Sequence, residues 1–441
     1  MPPTPPQQIT LNRAEQDEYD KLASQLLDKT LVQYSQFNGL IDTGEWSLVR
    51  KRKQISIYRS VLDSDDPNVT IMAGSGLIHG SLEDVMDGLY CDTTADLRTV
   101  KTLLHYKLVN GSVLNVSERR SAAEPFQFAG IKWVAAKASW GLTKHRDLLT
   151  YERMGRTLDK NGNELAFYAL YSIDRPECPP DSVKGIKRSK ISTCNVFKRL
   201  PDNRVEVFAW GEFPDIGSMS HRVAEYVIAG TWLRIVYSVD CAEAKKCSKL
   251  MARSAGRSVA ATKACHVCRK STSKFKTRLR CAGCSQTMCK TCSCDRVIFE
   301  INMRTGKPME KRFCKLCINK VAAAPVIQPI SQHPFYTEPA RGNERVEEPR
   351  PKSKSLSATG YPWIEPSGNE ASIEKVALAV DEEEDWTTSK LCNFDLRIDT
   401  QAICENEIER KHPAASNQMV VRDPPLSKSI RQSHIESRTF Q

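Results

Sequence analysis

The sequence predicts an α+β protein built in three parts, on three observations. A series of short alternating strands is closed by one long amphipathic helix. Four Cys-x-x-Cys pairs then crowd into 53 residues. Beyond residue 320 the chain turns polar, Pro-rich and acidic, a composition that buries too little apolar surface to offset its ordering entropy. The full length of 441 residues suits two or three domains. The expected divisions are a disordered N-terminus at 1–9, a strand-rich domain at 10–252, a linker at 253–260, a cysteine-rich module at 261–320 and a largely disordered acidic tail at 321–441.

In chain order, Thr10 is expected to cap a first helix, with Glu15 and Asp17 near its positive end and Leu22, Leu26 and Leu27 on one face. Residues 46–58 read as a hairpin around the basic turn Arg50-Lys51-Arg52-Lys53. Two short strands follow at 69–73 and 77–80, and Ser81 with Glu83 and Asp84 opens a helix. Leu97, Val100, Leu103 and Leu104 are spaced for one apolar helical face. Strands are expected at 132–138, 146–156, 164–172, 185–197 and 204–211, with a turn at 159–163 whose Asn161-Gly162 tolerates positive φ. A single long helix over 218–251 carries the stripe Val223, Val227, Trp232, Ile235 and Val236.

The longest apolar stretch, residues 226–237, contains Arg234 and is shorter than the roughly 20 residues that cross a bilayer. Residues 1–6 show neither a basic n-region nor an apolar h-region, so a cytosolic chain is expected. In that compartment structural disulfides are disfavoured, and the 16 cysteines require another explanation. Charge points to the same place. The overall balance of +11 conceals −1 in residues 1–244, +17 in 245–320 and −5 in 321–441, and nine cysteines lie between Cys265 and Cys317 inside the basic segment.

The pairs are Cys265/Cys268, Cys281/Cys284, Cys289/Cys292 and Cys314/Cys317, separated by 12, 4 and 21 residues. Four thiolates hold one zinc tetrahedrally, so eight make two closed structural sites. Only four residues separate the second and third pairs, too few for both to serve one metal in an ordinary knuckle. Interleaving is expected instead: Cys265, Cys268, Cys289 and Cys292 on one Zn2+, Cys281, Cys284, Cys314 and Cys317 on the other. Such a cross-brace draws its folding energy from the metal. With that count complete, Cys294 and His266 are expected beside the ligands rather than among them.

These spacings, followed by Arg312-Phe313-Cys314, resemble the FYVE zinc finger over about residues 261–319. The resemblance implies binding of phosphatidylinositol 3-phosphate, hence a peripheral place on endosomal membranes. Its lipid motif is degenerate here: Thr277-Arg278-Leu279-Arg280 stands where the family has an Arg-rich run ending in two histidines, and the Trp-x-x-Asp motif is absent. Arg278, Arg280 and Arg312 retain the chemistry for charge-assisted bonds to a headgroup phosphate. Phe275, between Lys274 and Lys276, falls where the family inserts a loop into the membrane.

The order helix, hairpin, strands, two helices, strand series and long final helix resembles the START lipid-transfer domain over about residues 10–250. The stretches that carry it are Trp46-Ser47-Leu48-Val49 with Ile55-Ser56-Ile57-Tyr58, Gly80-Ser81-Leu82-Glu83-Asp84-Val85, Arg146-Asp147-Leu148-Leu149-Thr150-Tyr151, and the strand-to-helix passage 210–226. It implies a helix-grip fold, in which a curved antiparallel sheet grips the C-terminal helix around an apolar tunnel for a sterol, a phospholipid or a similar hydrophobic ligand.

His145, His221 and the scattered carboxylates form no nucleophile–base–orienter motif, so no catalytic residue is assigned and the chain is read as non-enzymatic. The resulting expectation is a lipid-binding adaptor whose finger meets an anionic cytosolic membrane or phosphoinositide and whose tail recruits protein partners. Three alternatives stay open for the finger: a protein partner, nucleic acid, or RING-like ubiquitin-ligase activity. The pairs lack the His ligands and recognition helix of a ββα finger, which counts against nucleic acid, and the all-Cys set counts against a RING.

Overall fold

In the computed structural model the described residues are 6–37, 44–61, 69–137, 145–180, 185–213, 221–256, 259–271, 279–302 and 304–324. Helix α1 (Arg13–Gln36) starts at Asn12, not Thr10, because Asn12 and Glu15 form a reciprocal capping box: each side chain accepts from the other's backbone N–H at 2.9 Å. That bond from Asn12, with Arg175 nearby, holds the Glu15 carboxyl below its ordinary pKa. The ordered chain also begins before residue 10. Ile9 is buried and donates its N–H to the Leu114 carbonyl at 2.8 Å.

The hairpin β1 (Trp46–Arg52) and β2 (Ile55–Ser60) turns at Lys53, which adopts φ 51°. The two short strands expected next are one, β3 (Thr70–His79). A Cβ at Gly76 would lie 2.0 Å from the Gln54 carbonyl, so glycine is what lets the strand pass under the hairpin turn. Helices α2 (Leu82–Leu89) and α3 (Thr94–Leu103) are capped by Ser81 and Thr93. Then come β4 (Leu108–Glu118), β5 (Phe128–Ala136), β6 (His145–Leu158) and β7 (Glu164–Ser172). The expected strand at 185–197 divides into β8 (Ile186–Arg188), held parallel against the start of β6, and β9 (Ser192–Leu200). With β10 (Arg204–Phe213) these make one ten-stranded sheet of order β1-β2-β3-β10-β9-β7-β6-β5-β4 with β8 alongside β6; apart from the β8 contact its pairs are antiparallel.

Alternation sends successive residues to opposite faces of the sheet. On one face Leu26 of α1 packs against Phe167, Val196, Phe208 and Trp210. The other face is covered by α2, α3 and the C-terminal helices, with Met72, Phe128, Met154, Phe197 and Val207 meeting Met86, Leu97, Val100 and Leu233. The expected single helix at 218–251 is broken: α4 (His221–Trp232) tightens into a 3-10 segment (Leu233–Tyr237) before α5 (Ser238–Ser254). Gly230 and the β-branched Thr231, Ile235 and Val236 weaken the α-helical preference at that point. Helix α2 crosses there so closely that a Cβ at Gly88 would be 1.8 Å from the Ser238 carbonyl.

The cysteine-rich module follows as a small hairpin, β11 (Leu279–Arg280) and β12 (Thr287–Met288), a longer one, β13 (Ser293–Ile301) and β14 (Pro308–Cys314), and helix α6 (Lys315–Ala323). It is docked on α5. Cys247, Leu250 and Met251 join the apolar cluster of Cys281, Phe313 and Cys317, and the Phe299 N–H donates to Ser248 Oγ at 2.9 Å. Arg296 pairs with Glu243 at 3.0 Å, and Ser254 Oγ donates to the Gly283 carbonyl. Among the described residues no helix is long and apolar enough to cross a membrane.

Candidate functional site

The first two Cys-x-x-Cys pairs sit in knuckles of identical design. The Cys265 carbonyl accepts from Arg269 N–H at 2.8 Å while the Cys265 N–H donates to Lys270; the Cys281 carbonyl accepts from Ser285 N–H at 2.9 Å while the Cys281 N–H donates to Gln286. Arg269 and Ser285 take the left-handed conformation, φ 61° and 59°, that closes such a turn. The third pair spans a 3-10 turn, Lys290–Cys292. In the fourth, Cys314 is the N-cap of α6 and Cys317 lies in its first turn.

Folding brings the sulfurs together in two interleaved groups: Cys265, Cys268, Cys289 and Cys292, and Cys281, Cys284, Cys314 and Cys317. Within each group every sulfur lies within 4.8 Å of the others. Cys268–Cys289 and Cys284–Cys314 are both 3.9 Å apart, close to the roughly 3.8 Å edge of a tetrahedron with 2.3 Å zinc–sulfur bonds. The Cys314 N–H also donates to Cys281 Sγ at 3.1 Å, a bond that favours the thiolate. Each group could hold a metal ion. His266 belongs to the first knuckle, yet its Nε2 reaches across to within 3.5 Å of Cys314 Sγ and 3.9 Å of Cys284 Sγ, so it links the two groups from outside. Cys294 is buried on β13 opposite Phe313 and belongs to neither group. Elsewhere burial pushes Cys194, Cys241 and Cys247 up to about 12, which leaves them inert packing residues.

The residues expected to meet a phosphate are placed unevenly. Arg312 is held in a bidentate pair with Asp295, at 2.8 and 3.0 Å. Arg280 is exposed and donates to the Val259 carbonyl at 2.6 Å. Phe275 and Arg278 lie outside the described residues.

A second constellation escaped the sequence. On the helix-covered face, Lys132 of β5 and Glu152 of β6 are 0% and 1% exposed, with Lys132 Nζ 2.7 Å from Glu152 Oε2. The Tyr168 hydroxyl donates to the same carboxylate oxygen at 2.7 Å, and Thr150 Oγ1 donates to the other, Oε1, at 3.2 Å. Although close, Lys132 Nζ meets hydrogen-bond geometry with no partner among the described residues, and it lies 3.9 Å over the Phe128 ring. Burial alone would drive the Lys132 pKa down, but Cys91 and Glu152 beside it more than offset this and raise it. Burial alone would raise Glu152; Lys132, Lys101 and the bond from Tyr168 instead hold it below its ordinary value. The pair is therefore ionic inside an apolar interior. Register explains why sequence could not show it: Lys132 is directly opposite Thr150, so Glu152 is a diagonal neighbour on the same face.

No family model matches the chain, and no curated protein matches it. Among solved structures it is similar to human StAR-related lipid transfer protein 5, at 16% identity over 51% of this chain and 95% of that one, with a TM-score of 0.38. It is also similar to human STARD10, at 14% identity over 47% of this chain and 77% of that one, TM-score 0.34. A third likeness is to the human StarD13 lipid transfer and protein localization domain, at 10% identity over 52% of this chain and 96% of that one, TM-score 0.33. Values this low leave the function to be argued from the residues themselves.

Proposed function

We propose that the chain is a non-enzymatic adaptor that binds a hydrophobic ligand in a START-like body and two zinc ions in a FYVE-type finger. The observation that carries the ligand half is the Lys132–Glu152–Tyr168 network. A fully buried ion pair is weak support for stability, since apolar residues of similar volume often do as well or better. One whose ammonium lacks a well-angled hydrogen bond within an apolar interior suits another purpose: holding the polar head of an otherwise apolar molecule. Lys132 would donate to that head, Glu152 and Tyr168 would fix the ammonium, and the apolar residues of sheet and helices would enclose the rest.

The test uses the full chain with both charged partners replaced. Lys132→Met with Glu152→Leu removes the pair without leaving a lone buried charge, so the fold is expected to persist at the cost of an unpaired Tyr168 hydroxyl. Lipid extracted from the purified protein and identified by mass spectrometry is expected in the parent chain and lost from this variant. Equal lipid content in both would overturn the assignment.

For the finger, the two four-sulfur groups favour zinc, which accepts all-thiolate tetrahedral sites and closes them structurally. Its membrane role rests on the resemblance. Arg278, Arg280 and Arg312 would contact a phosphoinositide or other anionic headgroup, and Phe275 would insert, placing the protein on cytosolic faces of endosomal membranes. Arg312 would first exchange Asp295 for the phosphate. Flotation with vesicles containing phosphatidylinositol 3-phosphate addresses this: equal binding to any anionic lipid, lost at high salt, would remove specific recognition.

A further inference from the structure

Three segments distant in sequence converge on two tyrosines at one end of the body. From the β1–β2 turn, Arg52 Nη1 donates to the Tyr237 hydroxyl at 3.1 Å, and Lys53 Nζ lies 5.2 Å over the same ring. From the end of α3, the His105 ring stands 4.3 Å from Tyr237, and Lys101 Nζ lies 5.0 Å over Tyr106. From the 3-10 segment, Arg234 lies 5.1 Å over Tyr106 from its own side. Lys51, Lys53 and Lys107 are exposed around half-buried rings. The three stretches 46–61, 97–117 and 226–239 hold nine Lys and Arg; Arg59 among them pairs with Glu225 at 3.5 Å, and Glu45, Asp96, Glu118, Glu225 and Asp240 stand at their edges. Among the described residues Arg52, Lys53 and Lys101 form no ion pair; their close partners are aromatic.

Arg52, Lys53 and Lys101 repel one another, and cation–π contacts on tyrosine compensate only part of that. An external polyanion would satisfy it. The β1 edge strand beside it exposes an aliphatic residue, Leu48, at 57%. Tyrosine bodies beneath, lysine ammoniums around them and an aliphatic side chain at the margin are the composition of a surface that meets lipid headgroups. Its position has a consequence too. Lys101 lies near enough to help hold Glu152 ionised, so the patch adjoins the buried network.

We infer that this basic-aromatic surface of the body docks on the phosphate layer of an anionic lipid membrane, as a contact separate from the finger. The value of docking there, beside the interior site, rests on the ligand reading above; the docking itself does not.

Binding of the full chain to phosphatidylcholine vesicles with and without phosphatidylserine tests it, at physiological and at raised salt. The patch variant is Lys51→Glu/Lys53→Glu/Lys107→Glu. Its matched control, Lys21→Glu/Lys160→Glu/Lys187→Glu, makes the same change in net charge at exposed lysines elsewhere. Finger contacts persist in every variant, so the ratio reads the body's share. The patch variant is expected to bind phosphatidylserine vesicles about a hundredfold more weakly than the parent, and the control to stay within about threefold. Milder Lys51→Gln/Lys107→Gln changes should give an intermediate loss and remove any doubt about folding. The Lys132→Met/Glu152→Leu variant should bind vesicles normally, which separates docking from ligand retention. Equal losses in patch variant and control overturn the proposal. So does a patch variant that keeps vesicle binding but loses binding to single-stranded RNA, which would assign the surface to nucleic acid.

Discussion

The body and the finger solve the same problem with opposite means. Beneath the ten-stranded sheet the body buries a continuous set of aliphatic and aromatic side chains, from Ile55 and Met72 through Phe128 to Leu233. In the finger's cluster, six of the ten buried members are cysteines. A core of that kind supplies little hydrophobic free energy, so on the proposed reading the finger draws its stability from bound metal while the body need not. The seam between them is α5, whose inner residues belong to the body and whose Cys247, Leu250 and Met251 belong to the finger's cluster.

The comparison breaks most visibly on metal removal. Chelation, or Cys281→Ser, should unfold the finger, because structural zinc contributes about 10–16 kcal/mol in small metal-dependent folds. Hydrogen exchange is expected to accelerate from β11 through α6 and in the last turns of α5, while β5 and β6 keep their protection. Loss of protection throughout the sheet would mean the body is not independent.

Within the body, Lys132→Met alone strands the buried Glu152 carboxylate and should cost about 3–5 kcal/mol in denaturant unfolding. Adding Glu152→Leu should restore most of it. The pH profile carries the same information. Glu152, held below its ordinary pKa, contributes stability present above its unfolded pKa and lost as pH falls through its lowered folded value. Lys132, held above its ordinary pKa, contributes stability present below its unfolded pKa and lost as pH rises through its raised folded value. The parent should therefore be most stable between those limits, and the double variant should lack both of these edges.

At the seam, a Cβ at Gly283 would lie 2.9 Å from Leu250 Cδ2, 3.1 Å from Phe313 Cδ1 and 3.2 Å from Cys317 Sγ. Gly283→Ala should cost about 1–3 kcal/mol by overpacking, with thermal unfolding of the finger shifted more than that of the body. The smallest effect is expected at the far end of the body: Asn12→Ala removes the capping box of α1 for about 1 kcal/mol, with zinc content unchanged.

The finger's sulfur groups were legible because spacing alone constrains them: four residues between Cys284 and Cys289 leave interleaving as the natural solution. The body was legible where one local signal dominates, as in β7, whose predicted bounds 164–172 match, and at the Ser81 cap. It was not legible where tertiary contact decides. Strand β4 hid behind Asn110-Gly111-Ser112, and its pairing with β5 slips at three places. The break before α5 lies under an unbroken apolar stripe, and the close crossing at Gly88 appears only once α2 is in place. Arg312 read as a free phosphate ligand until β13 placed Asp295 opposite it. Lys132 and Glu152 looked like ordinary strand residues until register put them on one buried face.

The central claim, that the finger is a metal-built module beside an apolar-built body, is tested most directly by native mass spectrometry of the purified full chain. Two bound zinc ions are predicted, falling to at most one in Cys281→Ser. A parent chain that is folded with no zinc, or whose mass reports disulfides among the eight cysteines, would contradict it.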